Sequence, residues 1–207
     1  AVPVCLLLWV LLGTVALCFQ SHAAEEAVRV TPMLELLFEG NLADTSESER
    51  ASTPHGAVAF AEGRQGQCTS FDGQSWIDTG FLQKELGSEF TVECWVKPGE
   101  QQRQHADIFG NHVGEGLGFV LQQQGSNTNQ FYAAYGVGAG EWVMTDAAPI
   151  AAGRWQHVAL VKTRVDLRLY VNGVLVNAKK DAAPARPSAM PVTVGLGYTE
   201  KERCFRG

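Results

Sequence analysis

No run of lysine or arginine occurs anywhere in the 207 residues. The 16 basic side chains are outnumbered by 22 acidic ones, for a formal net charge of −6. Binding a phosphate backbone needs a basic stripe, so this balance argues against nucleic acid and against an anionic membrane surface as partners. A Gly-x-Ser-x-Gly nucleophile elbow is missing, and so is a His-Glu-x-x-His zinc motif. His55, His105, His112 and His157 lack ligand spacing, and His157 reads as a structural hydrogen-bonding residue. The Gly114-x-Gly116-x-Gly118 and Gly136-x-Gly138-x-Gly140 patterns read as loop glycines, because a phosphate cradle needs a following helix and none is predicted. Cysteine is scarce: two of five fall in the first 19 residues, leaving Cys68, Cys94 and Cys204 at spacings that form no zinc site. There is no internal repeat, low-complexity tract or linker, so one domain with a sizeable core is expected.

What is present begins with an uncharged apolar run, Ala1 to Phe19, followed by Gln20-Ser21-His22-Ala23-Ala24. This reads as a secretory signal over residues 1–23, cleaved after Ala23, with Ala24 as the second choice. The basic leader segment and an initial Met are absent, so an N-terminally truncated signal is expected. The alternative is an uncleaved anchor, since the run is about long enough to span a bilayer. With cleavage no stable membrane span is expected, and the protein is placed outside the cell or in the periplasm. Export permits disulfides, but three cysteines are an odd number. A Cys68–Cys204 bridge is left open, and Cys94, alternating with Phe90, Val92 and Val96, reads as a buried apolar residue.

The strongest local signal lies in Trp155 to Asn177. Trp155, His157, Ala159 and Val161 alternate with Gln156, Val158, Leu160 and Lys162. After a turn at Thr163-Arg164, Val165, Leu167, Leu169 and Val171 alternate with Asp166, Arg168 and Tyr170, a period of two that marks half-buried strands. Asn172-Gly173 tolerates positive φ at both positions and so predicts a two-residue hairpin. Further strands are predicted at 28–38, 57–61, 68–71, 75–78, from Glu89 to the stop at Pro98-Gly99, and at 106–111, 117–123, 131–137, 141–145 and 192–197. The segment from Glu39 to His55 is read as an exposed polar loop. A meander of antiparallel strands with no helical period predicts an all-β sandwich.

The stretch "GRWQHVALVKTRVDLRLYVNGVLV", with "EFTVECWVKPG" and "CTSFDGQSWIDTG" before it, resembles laminin-G-like domains of the concanavalin A-like lectin/glucanase superfamily. The resemblance runs from about Leu34 to Gly207. It implies a jelly-roll β-sandwich of two antiparallel sheets over residues 28–207. Cys204-Phe205-Arg206-Gly207 resembles the start of the family's closing strand, so that C-terminal strand is expected to be missing. Many such sandwiches hold a structural Ca²⁺. The resemblance implies Asp44 as its first carboxylate ligand and Glu39 as the second, with an Asx-turn as the alternative role for Asp44. Laminarinase-like members use a Glu-x-Asp-x-x-Glu run, which this chain lacks, and its strand carboxylates are scattered, so catalysis within this segment is not expected.

Sugar rings stack on aromatic faces and need a few polar partners. Tyr132, Tyr135 and Trp142, with Asn129 and Gln130 nearby, form the densest such stretch and are the expected carbohydrate-binding residues. Trp76 and Trp95 are further candidates, although Trp95 and Trp155 read as core or sheet cover. The resulting expectation is a secreted, non-catalytic recognition domain that binds a glycan or an extracellular glycoprotein. An accessory module of a larger secreted hydrolase and a structural adhesion or spacer domain are the alternatives.

Overall fold

Apolar residues that recur every second position can all be buried on one face of a strand. The computed structural model describes residues 31–197 and 203–207, and fourteen strands form among them. They are β1 (Thr53–His55), β2 (Ala59–Glu62), β3 (Gln67–Ser70), β4 (Trp76–Leu82), β5 (Phe90–Val96), β6 (Asp107–Gly110) and β7 (Phe119–Gln123). The chain continues through β8 (Gln130–Gly138), β9 (Glu141–Met144), β10 (Ala148–Pro149), β11 (Gln156–Lys162), β12 (Asp166–Val171), β13 (Val174–Lys180) and β14 (Pro191–Val194). The chain divides into two compact units, residues 1–32 and 33–207, and every strand belongs to the second. The expected signal and Val28–Val30 lie outside the described residues. No helix among the described residues is long and apolar enough to cross a membrane.

The fold is an all-β antiparallel sandwich. One sheet has eight strands in the order β1-β4-β14-β6-β7-β8-β10, with β9 also paired to β8. The other is the four-stranded β13-β12-β11-β5, and β2-β3 forms a separate hairpin. Ile77, Phe119, Leu121, Phe131 and Tyr135 from the large sheet face Val158, Leu160, Leu167 and Leu169 from the small one. Each is fully buried, and burying each aliphatic side chain contributes roughly 1.5–3 kcal/mol. The meander forms as its alternation predicts. Val171 pairs with Val174 across Asn172 and Gly173, whose φ angles are 51° and 77°, as a two-residue hairpin turn requires. Lys162 is the exception on the inward face. It is buried, its Nζ donates to the Thr163 carbonyl, and it lies 4.8 Å from the Tyr135 ring centroid.

Two expectations are corrected. Residues 31–38 form no strand: Leu36 makes one isolated bridge, to Asp44, while Pro32 lacks a donor and Phe38 turns at φ 59°. The polar segment ending at His55 is not loop throughout, because its last three residues form β1, in register with Asp78, Ile77 and Trp76 of β4. That strand carries no apolar alternation, and its partner provides the pairing. No disulfide joins Cys68 to Cys204. Phe205 is packed in the core, and Gly207 and Phe71 exchange backbone hydrogen bonds of 2.8 and 3.1 Å.

Candidate functional site

Strand parity builds the site. On β4, Ile77, Thr79 and Phe81 point into the core, so Trp76 and Asp78 take the outer face of the eight-stranded sheet. Pairing of His55 with Trp76 brings their rings face to face, with centroids 4.7 Å apart and planes 7° from parallel. β14 sets Thr193 opposite Asp78 on one side and Gly110 on the other. Together with His112 and Gly197, and an apolar wall of Met190, Pro191 and Leu196, His55, Trp76, Asp78 and Thr193 line a groove of about 270 Å³. Asn111 also lines the groove and is held by bonds to the Met190 carbonyl (3.2 Å) and from the Phe119 N–H (3.1 Å). Asp78 Oδ1 accepts the Gly80 N–H at 2.8 Å.

Beside the groove lies a buried polar network. Asp107 is 0% exposed. Its carboxyl accepts hydrogen bonds from Gln122 Nε2 (2.7 Å) and the Gly197 N–H (3.0 Å). Burial pushes its pKa up to about 8 against those bonds and the nearby Arg203 charge. Gln122 Oε1 accepts the Tyr132 hydroxyl and lies 3.1 Å from His105 Nδ1. Burial, with Arg203 beside it, lowers His112 to about 3. His112 is therefore neutral, and its Nε2 accepts from Arg203 Nη1 at 3.2 Å. Gly197 is closely packed: a Cβ there would sit 3.0–3.2 Å from His112 Nδ1, Val120 Cγ2 and Asp107 Cγ, so these side chains would have to shift by a few tenths of an ångström.

Two of the expected aromatics reach this face. Tyr132 shares it with Gln122, its partner across β7–β8. Trp142, opposite Gly136 on β9, meets His112 edge-on at 5.8 Å. Tyr135 does not reach it. Its odd position on β8 turns it inward, where it is 0% exposed, its hydroxyl donates to the Ala183 carbonyl, and its ring faces are closed to a sugar. Trp95 corrects the reading in the opposite sense. It is 45% exposed on the outer face of the small sheet, with the Arg64 guanidinium 3.8 Å over its ring. It lies in a second groove of about 460 Å³ with Trp155, Glu93 and His157. His55, Asp107 and Gln122 were missed as site residues. Trp76-Ile77-Asp78 carries an alternation signal, but nothing local to the sequence brings His55 to Trp76.

Asp44 does not fit a calcium ligand. Oδ1 accepts the N–H groups of Glu35 and Ser46, and Oδ2 that of Arg50. Burial alone would raise this carboxyl, but those donors hold it at about 2. Glu39 likewise accepts the Gln67 N–H. Calcium wants six to eight oxygens, whereas both Asp44 oxygens and one Glu39 oxygen are engaged by backbone donors. Among the described residues no group of three or more His, Cys, Asp or Glu side chains could hold a metal.

A profile of the concanavalin A-like lectin/glucanases superfamily matches residues 71–207. No curated protein matches. Among solved structures, domain 4 of AbnA, a GH43 extracellular arabinanase from Geobacillus stearothermophilus, in complex with arabinotriose, superposes with a TM-score of 0.62. It is 19% identical over 81% of this chain and 83% of that one. The binding domain of botulinum neurotoxin DC in complex with SialylT gives 0.63 at 14% identity, over 79% of this chain and 42% of that one. The binding domain of Paraclostridial Mosquitocidal Protein 1 gives 0.60 at 13%, over 80% and 44%. The chain thus spans less than half of those two toxin domains, and the likeness in all three is one of fold.

Proposed function

The chain belongs to the concanavalin A-like lectin/glucanases superfamily, and we propose that it is a non-catalytic carbohydrate-binding module whose ligand lies in the groove beside Trp76. One observation carries this reading: the stacked His55–Trp76 pair shares a groove with the Asp78 carboxylate and the Thr193 hydroxyl. An aromatic face takes the apolar side of a sugar ring, and a carboxylate accepts its hydroxyl protons. Among the described residues the groove is lined by no Lys or Arg, which favours a neutral sugar. Trp142 and Tyr132 extend the face beyond His112. Two sandwiches of similar fold solved with arabinotriose and SialylT are consistent with a glycan ligand.

Hydrolysis is not part of the proposal. Retaining chemistry needs two carboxyl groups roughly 5 Å apart with access to the bond between them. Asp78 is the one carboxylate lining the groove among the described residues, and Asp107 is buried with both oxygens engaged.

A second reading, an accessory module of a larger secreted hydrolase, is favoured by the likeness to one domain of an extracellular arabinanase. Export of the chain is proposed with either reading, on the apolar run of residues 1–19. The test is a glycan array followed by product analysis of any bound oligosaccharide. Retention of a neutral glycan without cleavage is expected. Absence of glycan binding, or release of shortened sugars, would overturn the reading.

A further inference from the structure

On another part of the sandwich, three segments meet around one buried side chain. Gln102 is 2% exposed. Its amide oxygen accepts the Arg206 N–H at 3.1 Å, and its amide nitrogen donates to the Arg206 carbonyl. Its backbone is tied to Asn127 in both directions: the Gln102 N–H donates to Asn127 Oδ1, and the Asn127 N–H to the Gln102 carbonyl, each at 2.8 Å. Asn127 sits at φ 56°, a conformation that asparagine tolerates better than most residues. The Gly99 N–H adds a bond of 2.9 Å to the Arg206 carbonyl. Residues 99, 102, 127 and 206 are thereby tied together, and Gln102, Asn127 and Arg206 line a cleft of about 300 Å³.

Among the described residues the cleft is lined by two arginines, Arg103 and Arg206, together with Gln101 and Ser126, and by no Asp or Glu. Neither arginine belongs to a salt bridge among the described residues. Asp72, which bridges to Arg206 through the backbone, is engaged by the Gln74 N–H and the Ser75 hydroxyl, and Glu100 directly precedes Gln101. A chain of net charge −6 thus places two arginines in one concavity. Guanidinium groups present forked N–H donors that match the paired oxygens of a carboxylate, sulfate or phosphate. The fixed backbones lessen the ordering that a ligand must impose.

We propose that this cleft is an oxyanion site that takes the acidic group of a carboxylated or sulfated sugar. The proposal does not depend on the groove beside Trp76, which has no cation in its lining among the described residues. The test is calorimetric titration of the whole chain with sodium sulfate, inorganic phosphate and glucuronate, each at ionic strength held constant with chloride. Variants are Arg103→Gln, Arg206→Gln and, as a control on strand β13, Lys179→Gln. The Arg206 contacts to Gln102 and Gly99 are made by its backbone, so Arg206→Gln is expected to fold with an unchanged melting temperature.

Saturable binding of sulfate or glucuronate is expected, weakened roughly tenfold or more by either arginine change, because each removes charge-assisted hydrogen bonds, and unaltered by Lys179→Gln. Binding of sulfate over glucuronate would assign a sulfated sugar, and the reverse a carboxylated one. Binding of phosphate alone, no saturable binding of any anion, or equal weakening by Lys179→Gln would overturn the proposal.

Discussion

The two sheets present outer faces of opposite physics. On the four-stranded sheet the outward residues Arg168 and Tyr170 are only half-buried, and Arg168 pairs with Asp166 at 2.9 Å. On the eight-stranded sheet the outward Asp107, Gln122 and Tyr132 are joined in a network beneath Gly197, and the first two are buried. A polar residue facing water exchanges one set of hydrogen bonds for another at little net gain. The same residue under a loop must keep every partner, because an unpaired buried group is costly. The face that carries the candidate site is thus the one where polar residues are committed to one another.

Substitutions can break this contrast. Gln122→Ala removes partners from Asp107 and Tyr132 at once. Because each stranded buried group costs about 1–3 kcal/mol, urea unfolding is expected to show a loss of roughly 2–4 kcal/mol. A loss no larger than that of Arg168→Ala would erase the distinction between the faces.

The pH profile sharpens it. Asp107 binds a proton more tightly folded, at about 8, than unfolded, at 3.8. Stability is therefore expected to rise as pH falls from above 8 towards 6.5. Unfolded His112 then begins to protonate while its folded form stays neutral down to about 3, and the two effects oppose each other until Asp107 protonates in the unfolded chain as well. Below that point stability falls, with loss of the Asp44 contribution adding to the decline. Melting temperatures across this range check the signs, and Asp107→Asn is expected to flatten the slope between 6.5 and 8.

On the four-stranded face, Arg168→Ala breaks a partly exposed ion pair and is expected to cost less than about 1 kcal/mol. The smallest effect is expected from calcium: because Asp44 and Glu39 hold backbone N–H groups, melting temperatures in calcium and in chelator are expected to coincide.

Legibility follows the same division. The meander could be read from its sequence because its partners are neighbours along the chain, its alternation is strict, and Asn172-Gly173 marks the turn. Tyr135 was misplaced because an aromatic-rich stretch says nothing of parity, which depends on where β8 begins. Trp95 was misplaced because its exposure depends on what covers β5, and there Arg64 lies over the indole while leaving it 45% exposed. His55 was hidden because its strand is recruited by β4 from within a polar segment. The Asp107–Gln122–Tyr132 network joins three strands, and no short window of sequence contains it.

The central claim is that the groove beside Trp76, and not the exposed Trp95, receives the sugar. Calorimetric titration of a neutral oligosaccharide such as arabinotriose into wild type, Trp76→Ala and Trp95→Ala tests it most directly. The account predicts saturable binding that Trp76→Ala weakens by about tenfold or more, equivalent to about 1.4 kcal/mol, while Trp95→Ala leaves it unchanged. Binding that survives Trp76→Ala and is lost in Trp95→Ala would contradict it.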